Sequence, residues 1–181
     1  MIFYELKTYT RMASVSWVGS HPHGKGAITA ASIALIKARY ASGCQLRWRG
    51  TNPPELIAAA HASSYSMTLA DELGAAGYKP RQIDTTATVS MEDIAAGWTM
   101  TQIHLDVIAT VPEVAQCDFV DAALRAKANC PVSRSLNANI SMRAKLSARG
   151  AAKRLRPERM SATFALGIPQ KKKARRNGAK T

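Results

Sequence analysis

Two segments of the chain, residues 82–90 and 101–111, alternate between side chains that suit a core and side chains that suit water, with Ile108 as the exception. The positions that suit a core fall at every second residue: Ile83, Thr85, Ala87 and Val89, then Ile103, Leu105, Val107 and Ala109. A period of two is typical of a β-strand that buries one face. Residues 92–98 are predicted to be the turn that joins the two strands, so the pair should present one apolar face to a core.

The segment before this pair is predicted to be a long helix. Asn52 can cap it, Pro53 already has the φ of a first helical residue, and Glu55 favours the positive end of the helix dipole. The helix should end near Gly74 or Gly77. One stripe at helical spacing is predicted from apolar and small residues: Leu56, Ile57, Ala60, Ser64, Met67 and Leu69.

The order of the remaining elements predicts an α+β fold. They are a hairpin of strands at 12–19 and 27–32, an extended segment at 33–49, a helix at 113–129, a short helix from Cys130 and a strand at 139–147. In the 113–129 helix the predicted inward stripe is Val114, Cys117, Val120 and Leu124. Two strands, a helix, two strands, a helix and a strand do not make the regular alternation of a doubly wound parallel sheet.

The net charge of +13 is concentrated near the C-terminal end. Residues 149–181 contain 11 of the 25 Lys and Arg residues and only one acidic residue, a net charge of +10. Because they lack a regular apolar period, they are predicted to be a basic, disordered tail. The chain is therefore divided into an extension at 1–11, one domain at 12–148 and the tail at 149–181. Binding of nucleic acid through this tail is one alternative function, although the basic run lacks interleaved aromatic residues.

The chain carries no sign of membrane insertion or of a disulfide scaffold. No apolar run approaches the roughly 20 residues that span a bilayer, and the N-terminus does not resemble a signal peptide. We therefore expect a cytoplasmic protein without a membrane partner. Three cysteines form an odd set without CxxC spacing, which excludes a disulfide framework and a zinc motif. No cofactor is predicted.

The histidines suggest two further alternatives. His21 and His23 flank a proline and could bind a metal ion, but no third ligand is evident. His61 lies three residues before Ser64 and could serve as its base in a hydrolase, but neither a third member nor a G-x-S-x-G motif is present. His104 lies on the polar face of its predicted strand.

Two longer motifs, "GTNPPELIAAAHASSYSM" and "AKANCPVSRSL", resemble the OsmC/Ohr family of osmotically inducible and organic-hydroperoxide-resistance proteins. The form "AAAHA" is closer to the OsmC branch, and the resemblance covers residues 12–147. It implies an α+β fold with antiparallel sheets and a long central helix, assembled as an intertwined homodimer. It also implies a thiol-dependent peroxidase of organic and fatty-acid hydroperoxides. A first cysteine attacks the peroxide, a second closes a disulfide, and a lipoyl-type dithiol restores both.

The family's site residues match this sequence unevenly. Cys130, in "NCPVS", falls on the resolving cysteine, and Ser64 falls on the peroxidatic cysteine. The supporting glutamate of the family falls on Pro54, beside Glu55, which faces another side of the helix. Its supporting arginine falls in 40–49, where the aligned residue is Gln45 with Arg47 and Arg49 nearby. Cys130 also lies just before a helix, a position that favours a thiolate. Cys44 and Cys117 are predicted to be inert, and His61 to be structural, near the rim of the family's pocket.

Serine at position 64 changes the chemistry that is expected of the chain. A cysteine with a pKa of about 8.5 can be ionised by its surroundings, whereas a serine hydroxyl stays neutral and cannot form the sulfenic acid and disulfide of the cycle. Three classes of function therefore stay open. The chain is an OsmC-type peroxidase by descent, an inactive homologue that binds a hydrophobic ligand or a partner, or a nucleic-acid-associated protein.

Overall fold

The computed structural model describes residues 8–21, 23–42 and 50–147. Nine elements follow one another there: β1 (Ala13–Val18), β2 (Lys25–Ala30), β3 (Ala38–Tyr40), α1 (Pro53–Ala75), β4 (Gln82–Ile94), β5 (Gly97–Thr110), α2 (Gln116–Asn129), α3 (Pro131–Ser135) and β6 (Asn139–Leu146). This mixture of helices and strands confirms the predicted α+β class. The predictions for residues 43–49 and for the 149–181 tail lie outside the described residues.

The alternating segments form the predicted strand pair. β4 and β5 pair antiparallel, with Ile83 opposite Ala109 and Val89 opposite Ile103. All four core positions predicted for β5 are buried: Ile103, Leu105, Val107 and Ala109. The predicted turn at 92–98 is too long, because the strands pair as far as Ile94 and Gly97. Gly97 has a φ of +92°, which glycine adopts without the steric cost of a side chain.

The resemblance implies antiparallel sheets, but the sheet of β4, β5 and β6 is mixed. β6 pairs with β5 in the parallel direction, with Ile103 beside Ile140 and Ala109 beside Leu146. A parallel pair needs a crossover connection, and α2 and α3 supply it between the two strands. The crossover carries the residues between the helices, Cys130 among them, to the side of the sheet on which α1 packs.

Helix α1 begins as the sequence predicts. Asn52 Oδ1 accepts the backbone N–H of Glu55 at 2.9 Å, and prolines occupy the first helical positions. The predicted inward stripe is only partly right, because the buried residues recur at every fourth position: His61, Tyr65, Leu69 and Leu73. Met67, predicted to face inward, is 69% exposed. Alanine and serine occupy several faces of this helix, so the hydropathy of its residues does not show which face is buried.

The predicted stripe of α2 is mostly wrong, although Val114, just before the helix, packs against the core. The helix buries Phe119, Ala122, Ala123 and Ala126, whereas Cys117 is exposed and Leu124 is 52% exposed. The physical reason is close packing, since alanines let α2 approach α1 and Phe119 fills the core beside them. The prediction had favoured larger aliphatic side chains over the small ones that the contact requires.

The strands β1, β2 and β3 form a second, antiparallel sheet. Every residue of β1 is exposed, among them Val15 and Trp17, which lie on the same face of the strand. Trp17 packs against Tyr40 of β3 with the ring centroids 5.4 Å apart. This sheet therefore leaves apolar side chains uncovered by the described part of the chain. None of the described helices is both long and apolar enough to cross a membrane.

Candidate active site

Ser64 and Cys130 are 66 residues apart in sequence and meet between the helices. Ser64 lies in the middle of α1, and Cys130 is the residue that ends α2 and precedes α3. The distance between Cys130 Sγ and Ser64 Oγ is 3.3 Å, within hydrogen-bonding range for sulfur. Cys130 is fully buried and Ser64 is partly buried. The two positions that the resemblance singled out thus form one contact.

Tyr65 fixes α1 against the rest of the core at this point. Its hydroxyl is 3.2 Å from the carbonyl oxygen of Ala123 in α2 and 3.0 Å from Met142 Sδ in β6. The ring is fully buried, and burial followed by the nearby charge of Cys130 raises the pKa of the hydroxyl, so Tyr65 stays neutral. A neutral tyrosine bonded to α2 and β6 holds the adjacent Ser64 at Cys130.

The surroundings of Cys130 act on its protonation in opposite directions. Burial raises the pKa of the thiol, because a charge is poorly solvated in the core. Hydrogen bonds with Ser64, with the backbone and side chain of Ser133 and with the backbone of Val132 lower it. Together they bring the pKa of Cys130 below its ordinary value, which raises the fraction of thiolate at a given pH.

His61 is fully buried in α1. Its Nε2 lies 2.8 Å from Ser133 Oγ, whereas its Nδ1 has no hydrogen-bond partner among the described residues. Burial lowers the pKa of His61, which keeps the ring neutral. The ring nitrogen therefore bonds the serine of α3, and the hydrolase alternative, which needs His61 to serve Ser64, gains no support.

Of the residues that match the family's supporting charges, those that the structure describes do not reach this contact. Pro54 lies in the first turn of α1, and Glu55 is exposed, with its carboxylate 3.1 Å from Thr51 Oγ1. Gln45, Arg47 and Arg49 lie outside the described residues, as does Cys44. Among the groups that the structure describes, no charged side chain contributes to the pKa of Cys130. Within the described residues, the pKa of Cys130 is therefore lowered by uncharged hydrogen-bonding groups alone.

The other candidate residues have hydrogen-bond partners elsewhere or are exposed. His21 is exposed and its Nε2 is 3.1 Å from Ser42 Oγ, and His23 is exposed as well. His104 Nδ1 is 2.7 Å from Ser141 Oγ on the polar face of the sheet. Within 8–21, 23–42 and 50–147, no group of three or more His, Cys, Asp or Glu side chains could hold a metal ion.

Ser133 is the site residue that sequence reasoning missed. It belongs to the quoted motif "NCPVS", where attention went to the cysteine because its chemistry is the more distinctive. Its position three residues after Cys130 places it in the first turn of α3, where it bonds His61 and lowers the pKa of the thiol. This i, i+3 spacing at a helix start was the signal that was available.

Comparisons with known proteins agree with this architecture. Residues 45–145 match the family described as OsmC-like protein. The chain is 39% identical over 136 residues to the peroxiredoxin OsmC of Escherichia coli (strain K12), a match that covers 75% of this chain and 95% of that protein. The peroxiredoxin OsmC of Shigella flexneri matches to the same extent.

Solved structures share the fold at lower sequence identity. An OsmC-like protein of unknown function from Vibrio cholerae superposes with a TM-score of 0.64 at 12% identity, covering 76% of this chain and 100% of that chain. The organic hydroperoxide resistance protein OhrB of Bacillus subtilis has a TM-score of 0.58 at 18% identity, and the match covers 74% of this chain and 98% of that chain. At these identities the likeness concerns the fold.

Proposed function

Because the chain belongs to the OsmC-like protein family, we propose that it is a protein of organic-hydroperoxide detoxification whose two-cysteine reaction is interrupted at Ser64. Ser64 occupies the position of the peroxidatic thiol and Cys130 that of the resolving thiol. The substrates are organic hydroperoxides, including those of fatty acids, and the reductant is a lipoyl-type dithiol. The observation that carries the proposal is the 3.3 Å contact between Cys130 Sγ and Ser64 Oγ.

The chemistry of that contact explains why the reaction is interrupted. In a two-cysteine cycle the first thiolate attacks the peroxide O–O bond, the alcohol leaves, and a sulfenic acid remains. The second thiolate then attacks this sulfur, forms a disulfide and releases water. A serine oxygen is a weak nucleophile and cannot take either role of the first sulfur. Cys130 retains its geometry but has no sulfur partner at 3.3 Å.

The test is consumption of cumene hydroperoxide and of a fatty-acid hydroperoxide with dihydrolipoamide as reductant. We expect the native chain to be at least about a hundredfold slower than its Ser64→Cys variant. A native rate equal to that of the variant would contradict the interruption at Ser64. If neither protein reacts, the site no longer supports peroxide chemistry, and the alternative of a hydrophobic-ligand or partner-binding module takes its place.

A homodimer accompanies this proposal. The apolar face of the β1–β2–β3 sheet, formed by Val15, Trp17 and Ile28, leaves Val15 57% exposed and Trp17 37% exposed. Exposed apolar patches of this kind mark interfaces, and a second copy of the chain is the partner that the family resemblance implies. A cytoplasmic location also belongs to the proposal, since the site requires reduced thiols.

The dimer gives a prediction for solution mass. Light scattering on the eluting peak of a sizing column is expected to give twice the 19.5 kDa of one chain. Val15→Asp, which places a charge on the apolar face, should shift the protein toward the monomer. Ser14→Asp is the matched control, since neighbouring strand residues point to opposite faces. An unchanged mass in Val15→Asp would remove this face from the interface.

A further inference from the structure

Outside the 149–181 tail, the positive charge of the chain is concentrated in residues 6–54. This segment contains seven Lys and Arg residues and no Asp or Glu, whereas residues 55–148 contain seven basic and ten acidic residues. Most of its described part is the β1–β2–β3 sheet with the loops that join the strands. The electrostatic potential around this sheet therefore favours an anionic ligand over a cationic one.

The two faces of the sheet differ in chemistry. Val18 lies opposite Lys25, and Ala27 lies opposite both Ser16 and Arg39, so all five side chains belong to one face. The apolar residues that are assigned above to the homodimer belong to the other face. A second copy of the chain that covers the apolar face therefore leaves the basic face open.

A hollow of about 470 Å³ opens on the basic face. Val18 and Ala27 contribute apolar side chains to its lining. Lys25, Lys37 and Arg39 contribute cations. Pockets for small organic ligands measure roughly 300–1,000 Å³ and combine an apolar lining with a few polar groups that fix the ligand. The lining of this hollow fits a ligand with an aliphatic body and an anionic group.

Two of the three cations have no acidic partner among the described residues. Neither Lys37 nor Arg39 belongs to an ion pair there, and both side chains are exposed. A guanidinium presents parallel N–H donors that match the two oxygens of a carboxylate. Like charges at one hollow repel each other, and a bound anion relieves that repulsion. The arrangement is therefore more favourable with an anion than without one.

The loop between β2 and β3 fixes the position of Lys37. The backbone N–H of Lys37 donates to Thr29 Oγ1 at 3.2 Å, and that of Ala30 donates to the carbonyl oxygen of Leu35 at 2.9 Å. Ile33 and Lys37 have φ angles of +57° and +47°, in a region that residues other than glycine seldom adopt. Such conformations cluster at ligand sites.

Nucleic acid is another anion that a basic face can bind, but this face lacks what such a ligand needs. Single-stranded nucleic acid stacks its bases on aromatic rings beside the cations. The aromatic residues of the three strands, Trp17 and Tyr40, both lie opposite Gly26 and pack against each other on the apolar face. An aliphatic anion therefore fits the lining of the hollow better than a nucleic acid does.

We propose that this hollow is a binding site for a free aliphatic carboxylate, the chemistry of a fatty-acid anion. Arg39 and Lys37 bind the carboxylate, and the aliphatic chain covers Val18 and Ala27. The inference goes beyond the proposed function, because the lining of the hollow includes neither position of the candidate active site. It assigns the chain a second, non-covalent binding activity.

The test is a titration of the full chain with dodecanoate below its micelle concentration, followed by calorimetry and by amide chemical shifts. We expect saturable binding, with shifts in β1, β2, β3 and their loops. Acetate, which lacks the chain, and dodecyltrimethylammonium, which reverses the charge, should not bind. Shifts around Ser64 and Cys130 in place of the sheet would overturn the proposal. Binding to vesicles of anionic phospholipid without binding of monomeric dodecanoate would overturn it as well.

Variants test whether the cations of the hollow bind the carboxylate. Lys37→Gln together with Arg39→Gln should weaken the binding of dodecanoate about tenfold, because two exposed ion pairs are lost. Lys79→Gln together with Lys145→Gln removes the same charge at exposed positions outside the hollow and should bind as the native chain does.

Ser16→Glu supplies an independent arm, since it places a carboxylate of the protein itself on the basic face. This carboxylate competes for the cations, so the variant should also bind dodecanoate at least about tenfold more weakly. Native affinity in a folded Ser16→Glu protein, or in the variant that lacks Lys37 and Arg39, would contradict the proposed site. Peroxide is not used in any arm, so a failure here leaves the proposed function untouched.

Discussion

Replacing Ser64 with cysteine is expected to make the chain turn over organic hydroperoxides with a dithiol reductant. The variant places a polarizable, ionisable sulfur on the residue whose native hydroxyl lies 3.3 Å from Cys130 Sγ. It thereby restores both steps of the cycle, the attack on the O–O bond and the closure of a disulfide. We expect the rate of consumption of cumene hydroperoxide to rise at least about a hundredfold over that of the native chain.

Ser63→Cys is the matched control for this gain. Ser63 is adjacent in α1 and exposed, and its hydroxyl donates to the carbonyl oxygen of Ala60. A thiol there adds the same chemistry to the chain but faces away from Cys130, so no gain is expected. In the Ser64→Cys background, Cys130→Ser should abolish sustained turnover. A similar gain from Ser63→Cys would show that any exposed thiol suffices and that the contact with Cys130 is irrelevant.

The second large effect concerns stability. Phe119→Ala should lower the free energy of unfolding by about 3–5 kcal/mol, because it deletes a fully buried ring from the contact of α2 with the core. Leu124→Ala, at a position that is 52% exposed on the same helix, should change it by less than about 0.5 kcal/mol. Denaturant unfolding of both variants beside the native chain measures the difference.

This pair of variants tests the face that α2 turns to the core. The sequence predicted the stripe that contains Leu124, and the structure buries the one that contains Phe119. If Leu124→Ala were the more destabilising change, the predicted stripe would be right and the packing of α2 described above would be wrong. Similar losses for both would indicate that Leu124 is covered in the assembled protein.

Strands were easier to predict than helix faces in this chain, for a physical reason. In β5 the buried residues alternate with mostly polar ones, Ile108 being the exception, so the period of two is visible directly in the sequence. The buried residues of α2 are Phe119 and three alanines, whereas α1 buries a few large residues such as Tyr65 among many exposed or half-buried alanines. Alanine occurs on buried and exposed faces alike, so its spacing does not identify the side that packs.

The candidate site was predictable in part from its motifs. Resemblance pointed to positions 64 and 130, and the structure brings them into contact, which neither motif could show by itself. The hydrogen bond between His61 and Ser133 depends on how α3 lies against α1 and has no counterpart in sequence spacing. Predicting it would have required the tertiary arrangement.

The most direct test of the account is the state of positions 64 and 130 in the Ser64→Cys variant after a stoichiometric amount of cumene hydroperoxide, without reductant. We predict an intact mass lower by two hydrogen atoms and, after proteolysis, a cross-linked peptide pair that joins position 64 to Cys130. Oxidation of position 64 to a sulfenic or sulfinic acid, with Cys130 still open to alkylation after unfolding, would contradict the claim that the two positions form one site.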